Sequence, residues 1–165
     1  MKGGTVDFRE SDATVVLVDD ESLVLDSLRT FLELETEYRI EAFDAPSAAL
    51  DWAEQGSADV VVSDFLMPGI NGIELLRRYA EAQPHAPRIL LTGYADKESA
   101  ITAINDVGLF QYVEKPWDNA QLLIILRNAL EKRFLVKQLQ QKISEIDTAR
   151  GELSGLQQDI LRTFI

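Results

Sequence analysis

Val60-Val61-Val62-Ser63-Asp64 is a short β-branched run that ends on a hydroxyl and an acid. Its apolar part shows no alternation. A strand with one wet face alternates apolar and polar residues, whereas a strand covered on both faces reads as a continuous apolar run. The stretch therefore predicts a buried strand in a parallel sheet with helices above and below it. Working outward, similar runs occur at residues 15–18, 38–43, 88–91 and 111–113.

Between these runs lie stretches with helical spacing. Leu25, Leu28, Leu32 and Leu34 mark an apolar face in the first, and Pro46 opens a second that contains Ala49, Leu50 and Ala53. Ile73, Leu76 and Tyr79 belong to a third. Ala100, Ile101 and Ile104 belong to a fourth, which Gly108 is placed to end. A fifth starts after Asp118, a good N-cap, and Leu122, Leu123, Ile125, Leu126, Ala129 and Leu130 would cover the sheet. Alternating segments of this length predict right-handed βαβ units. The expected fold is α/β: a doubly wound, five-stranded parallel sheet with five helices. In such sheets ligands bind beyond the carboxyl ends of the strands.

The fifth helix does not stop on schedule. Leu135, Leu139, Ile143, Ile146, Ala149, Leu153, Leu156 and Ile160 continue an apolar stripe whose steps are close to a heptad repeat. Gly151 and Gly155 each cost a helix roughly 1 kcal/mol relative to alanine, so fraying or a break is expected there. The reading divides the chain into an N-terminal tail (1–12), a globular domain (13–130) and a helical extension (131–165). The extension reads as a coiled-coil signalling or dimerisation helix, cut before a downstream domain. Folding back on its own globular domain is the competing reading.

Composition narrows the chemistry. There is no cysteine among the 165 residues, which excludes disulfides, thiolate metal sites and cysteine nucleophiles. The single histidine, His85, stands between Pro84 and Pro87 and reads as an exposed loop residue. No signal peptide or membrane span is visible, and a cytoplasmic location is expected. The formal net charge is −12. Residues 131–165 hold six basic and five acidic side chains, a balance of +1, so residues 1–130 carry −13. A body that acidic repels nucleic acid phosphates, and direct nucleic acid binding by it is not expected.

Four polar features fall on successive strand ends. Asp19 and Asp20 follow the first strand, Asp64 the third, Thr92 the fourth, and Lys115 the fifth. Each has a bland reading by itself: the Asp pair as a helix cap, Asp64 as a turn residue. The conjunction suits phosphoryl transfer to a carboxylate, with Asp64 as nucleophile. Three crowded carboxylates call for a hard cation, and Mg²⁺ fits oxygen ligands with retained water. Asp20 and Asp64 would ligate it directly, the backbone carbonyl of Leu66 would be a third ligand, and Asp19 would act through water. Lys115 would offset charge on a phosphoryl oxygen, and Thr92 would donate its hydroxyl.

These residues stand in longer motifs: Val16-Leu17-Val18-Asp19-Asp20-Glu21, Ser63-Asp64-Phe65-Leu66-Met67-Pro68-Gly69-Ile70-Asn71-Gly72, Leu91-Thr92-Gly93-Tyr94 and Tyr112-Val113-Glu114-Lys115-Pro116-Trp117. Over residues 13–130 the chain closely resembles the receiver domain of bacterial two-component response regulators. The resemblance implies a flavodoxin-like sheet and a switch protein, not an enzyme beyond its own phosphorylation and dephosphorylation. Asp64 would accept phosphate from a histidine kinase or phosphotransfer protein. Asp19 and Asp20 would form the Mg²⁺ pocket, Thr92 and Tyr112 the switch pair, and the Lys115–Pro116 bond would be cis. Leu66 and Tyr94 flank the phosphoryl position without an acid or amide, which suggests slow self-hydrolysis.

The output is more open. The leading expectation is a homodimer through the C-terminal helix that carries the signal to a downstream domain. A constitutive dimerisation module with a silent receiver is one alternative. Another is the N-terminal part of a LuxR-type DNA-binding regulator, because residues 152–162 resemble the opening of its helix-turn-helix with a glycine for the usual proline. A flavodoxin-like cofactor binder ranks last, since Asp19-Asp20 stand where a Gly-rich phosphate loop would be.

Overall fold

The computed structural model describes residues 8–93 and 96–164. Contacts divide the chain into two compact units, Met1–Arg133 and Phe134–Ile165.

In the first unit a single 3-10 turn (Glu10–Asp12) precedes β1 (Thr14–Val18), α1 (Ser22–Glu35), β2 (Arg39–Phe43), α2 (Pro46–Gln55), β3 (Val60–Asp64), α3 (Gly72–Ala82), β4 (Arg88–Thr92), α4 (Lys97–Val107) and β5 (Gln111–Glu114). The last helix, α5 (Asn119–Phe164), starts in this unit and supplies the described residues of the second. All five strands are parallel, in the order β2-β1-β3-β4-β5. The chain leaves β1 on one side and returns past it to β3. The strand order therefore reverses between β1 and β3, where a doubly wound sheet opens its ligand crevice.

Burial follows the expected two-sided pattern. Every residue of β3 is buried. Val16 and Val18 share a core with Ala49, Ala53, Leu75, Leu76, Tyr79, Ala100 and Ala103, which places α2, α3 and α4 on one face of the sheet. Strand neighbours point to opposite faces. Val15 and Leu17 therefore need cover from the other side, where Leu25, Leu28, Leu32, Leu122, Ile125, Leu126, Ala129 and Leu130 are buried. Each buried leucine or isoleucine among them stabilises the fold by roughly 1.5–3 kcal/mol through burial.

Local signals set the helix ends. Pro46 is the first residue of α2. Gly108 caps α4 in the left-handed region, with φ 68°, where a side chain would be strained. Asn71 caps α3 by accepting the Glu74 N–H at 2.9 Å. Asp118 accepts the N–H of Ala120 through its side chain and that of Leu122 through its carbonyl. His85 lies exposed in the turn before β4.

Two expectations need correction. Leu34 is 79% exposed, because two residues past Leu32 the helix has turned about 200°, away from the buried face. Ile101 lies on α4 as its spacing predicts, exposed beside the buried Ala100, Ala103 and Val107. The helix also neither frays nor breaks at Gly151 and Gly155. Two glycine penalties are spread over a long run of good helix formers, and neither glycine lies near other side chains.

Within the second unit the helix is exposed throughout its described surface except at a few partly covered positions near its start. Leu139, Ile143, Ile146, Leu153, Leu156 and Ile160 are all more than half exposed. No turn interrupts residues 152–162, the stretch that resembles a helix-turn-helix opening.

Candidate phosphoacceptor and metal site

The carboxyl ends of β1, β3, β4 and β5 converge on one acidic pocket. β1 and β3 are adjacent with Val18 opposite Ser63, so Asp19 and Asp64 leave neighbouring strands at the same level. β3 and β4 pair Asp64 with Leu91, and β4 and β5 pair Thr92 with Glu114. Carboxylate oxygens of Asp19, Asp20 and Asp64 lie within 4.8 Å of one another. Lys115 crosses from β5 to place Nζ 2.7 Å from Asp64 Oδ1.

Each acid is held differently. Asp19 is buried, and its Oδ1 accepts the Glu21 N–H at 2.9 Å, which shapes the turn into α1. The cap position itself belongs to Glu21, whose side chain makes no capping bond. The Asp pair is therefore not a conventional helix cap. Asp19 Oδ2 and Asp20 Oδ1 are buried without a hydrogen-bond partner. Orphaned carboxylate oxygens are costly in a protein interior. Two of them aimed into one pocket beside a third carboxylate are the donor set that a hard, oxygen-seeking divalent cation requires. The residues present thus fit Mg²⁺.

The electrostatics agree with the crowding. Burial pushes the Asp19 carboxyl up to about 6, the Glu21 N–H pulls it back, and the Asp64 charge adds to the rise. Burial alone would lower the Lys115 ammonium. The hydrogen bond and charge of Asp64, with Asp19 and Glu21, outweigh burial and hold it above its ordinary value.

Thr92 is fully buried and its Oγ1 has no hydrogen-bond partner. Its carbonyl accepts the Lys115 N–H at 2.7 Å, so the two residues are tied through the backbone. Leu90 pairs with Tyr112 and Thr92 with Glu114, which puts Thr92 and Tyr112 on the same face of adjacent strands. Tyr112 is half-buried and packs against the core under α2, α3 and α4. The Lys115–Pro116 peptide is cis. Leu66 lies in the β3–α3 loop with its side chain 63% exposed. Tyr94, the other residue tied to phosphoryl lifetime, lies outside the described residues.

Two supporting positions carry no signal of their own in the sequence beyond the motif around them. A Cβ on Gly72 would fall on the Asp64 carbonyl oxygen, so only glycine lets α3 start against the end of β3. The Gly72 N–H also donates to the Phe65 carbonyl at 2.8 Å. Ser63, fully buried, donates its hydroxyl to the Asp64 carbonyl at 2.9 Å. Beside Lys115, a recess of about 510 Å³ is lined by Glu21, Val24, Lys115, Pro116, Trp117 and Asn119.

Comparison with known proteins agrees with this geometry. The response regulator receiver domain family matches residues 15–127, and the chain belongs to that family. It is 34% identical to the hydrogenase transcriptional regulatory protein HoxA of Cupriavidus necator over 76% of this chain and 26% of HoxA. It is 28% identical to the transcriptional regulatory protein FixJ of Bradyrhizobium diazoefficiens over 92% of this chain and 73% of FixJ. A crystal structure of a response regulator receiver domain protein from Clostridium thermocellum superimposes with a TM-score of 0.71 at 32% identity, covering 75% of this chain and 98% of that one. The chain spans between about a quarter and a third of the length of several curated relatives, HoxA among them. No helix among the described residues is long and apolar enough to cross a membrane.

Proposed function

We propose that Asp64 is the phosphoacceptor of a two-component phosphorelay and that residues 13–130 form the switch. The observation that carries this reading is the pairing of Lys115 with Asp64 at 2.7 Å beside two orphaned carboxylate oxygens. A carboxylate oxygen of Asp64 attacks the phosphorus of a phosphohistidine on a kinase or phosphotransfer protein. The new P–O bond forms an acyl phosphate as the P–N bond breaks, and the imidazole leaves. Asp19, Asp20 and Asp64, with the Leu66 carbonyl, would hold Mg²⁺, which when bound supplies charge neutralisation for the incoming phosphoryl group. Lys115 then moves its charge from the free carboxylate to a phosphoryl oxygen.

Signal leaves through Thr92 and Tyr112. The unpartnered Thr92 hydroxyl donates to the phosphoryl group, and the Tyr112 ring turns into the space this frees. The chain catalyses only its own phosphorylation and dephosphorylation and works in the cytoplasm. Residues 131–165 form a dimerising extension that links the switch to an output, the exposed stripe being the face that a second copy covers.

Beryllofluoride or acetyl phosphate with Mg²⁺ tests the reading. The expected result is a change in tryptophan fluorescence and in oligomer mass that Asp64→Asn abolishes. An unchanged protein, or a change that Asp64→Asn retains, overturns it.

A further inference from the structure

The apolar stripe of the tail contains a stricter frame than its most obvious residues suggest. Taking Val136 as position a of a heptad, Leu139 is d, and the 3-4 alternation then runs unbroken to Ile160. Val136, Ile143, Arg150 and Gln157 occupy a; Leu139, Ile146, Leu153 and Ile160 occupy d. The described d residues are each more than half exposed in the single chain. Gly151 and Gly155 fall at b and f, away from the seam, with nothing near a Cβ.

The flanking positions are asymmetric. Position g carries Leu135, Lys142, Ala149 and Leu156; position e carries Gln140, Asp147, Ser154 and Leu161. The g edge has one base and no acid, and the e edge has one acid and no base. In a parallel pair, a g residue faces the partner's e residue of the next heptad. Lys142 then meets Asp147 of a second copy, twice by symmetry, and Leu156 meets Leu161. In an antiparallel pair, g faces g and e faces e, and neither charge finds an opposite one. A parallel pair slipped by one heptad sets Lys142 against Gln140 or Ser154 and Ile143 against Arg150. Of these arrangements only the in-register parallel one both opposes Lys142 to Asp147 and keeps Ile143 against an apolar partner. It also stacks Gln157 on Gln157, where amide can bond to amide, and lets the long Arg150 side chains reach the solvent edge. Polar residues at a lower stability and select register.

We infer that the tail pairs with a second copy of this chain as a parallel, in-register coiled coil whose register is set by Lys142 with Asp147 and by the Arg150 and Gln157 layers. The inference rests on the reading that the tail joins two copies; it adds direction and register. Within its own helix Lys142 lies 3.3 Å from Glu145, so the pair extends an existing surface network.

The chain has no cysteine, which makes engineered crosslinks clean. Leu139→Cys and Leu153→Cys, prepared separately in the full chain and oxidised with and without beryllofluoride and Mg²⁺, should both give disulfide dimers in high yield under whichever of the two conditions makes the parent chain dimeric. Ser144→Cys, at an outward b position, should not. Lys142→Glu should loosen the dimer about tenfold by sedimentation, and adding Asp147→Lys should restore it. A monomer under both conditions overturns the tail-pairing reading itself. A dimer in which only one or neither seam cysteine crosslinks overturns the register alone, as does a charge-reversed double variant no tighter than the single one.

Discussion

Lys115 Nζ sits 2.7 Å from Asp64 Oδ1, so the Lys115 ammonium is already committed to the proposed acceptor. The pair is asymmetric in exposure, with Asp64 buried and Lys115 partly open to solvent. A phosphoryl group on Asp64 brings more negative charge to the same place. Lys115→Met therefore removes a group matched to charge that develops during transfer. Phosphorylation of Asp64 by acetyl phosphate should slow about 10²-fold. A phosphate-affinity gel time course measures it, and a rate within about twofold of the parent would sink the role given to Lys115.

Asp19 sets a pH dependence. Its carboxyl ionises at 3.8 in the unfolded chain and at about 6 in the fold without metal, chiefly through burial. Between those values the folded state holds a proton that the unfolded state has lost. Asp19 therefore favours the fold as pH falls from 7 toward 5, and its ionisation costs stability above about 6. The raised Lys115 group acts only at much higher pH, and the lowered Glu74 carboxyl only below 4.5. In EDTA, melting should move to higher temperature between pH 7.5 and 5.5. Saturating Mg²⁺ should reverse that trend, because the ion needs Asp19 ionised and its affinity falls below pH 6. Asp19→Asn should flatten both dependences.

Gly72 is where α3 presses on the strand that carries Asp64. A methyl group there would fall on the Asp64 carbonyl oxygen and also crowd Leu90. Gly72→Ala should forfeit the helix-propensity gain that alanine normally brings and destabilise by about 1–3 kcal/mol. Urea unfolding followed by circular dichroism would show it. A neutral or stabilising result would mean that the β3–α3 turn relaxes freely.

Arg133 reaches Asp59 at the opposite end of β3, with Nε 3.8 Å from Oδ1. Asp59 is buried and its Oδ2 accepts the Thr14 N–H at 2.9 Å. Burial lowers the Arg133 guanidinium, and the Asp59 charge works against that fall. Arg133→Met should leave Asp59 less compensated and lower stability by about 1–3 kcal/mol, with Asp59→Asn recovering part of the loss in the double variant. Additive losses in that cycle would show that the two charges do not interact.

Legibility differed sharply between these sites. The acceptor pocket could be read because its residues close short apolar runs, and a parallel sheet brings every such end to one rim. Helix limits at Pro46, Gly108 and Asp118 were legible because each carries its own backbone chemistry. The Asp59–Arg133 pair was not, since it joins positions far apart in sequence and neither belongs to a periodic pattern. Gly72 was visible only as a motif letter; its reason is a backbone contact that no spacing encodes. Leu34 departs from the face it was assigned because apolar character does not say which side of a helix the sheet will use.

Leu66 bears on how long the signal lasts. It stands two residues past Asp64, its side chain 63% exposed, and it has no group that accepts a proton or orients a water molecule. Hydrolysis of an acyl phosphate needs a water held in line with the phosphorus. Without a side chain to hold it, phosphoryl-Asp64 should persist for minutes or longer, and decay within a few seconds would contradict that. Leu66→Asn places an amide where it can orient the water. It should shorten the half-life about tenfold, below the 10²–10⁴ of an optimally positioned base. Loss of radiolabel from purified phosphoprotein gives the rate. The substitution leaves Lys115, Asp19 and Asp20 in place, so an unchanged rate of phosphorylation beside faster decay would assign the effect to water alone.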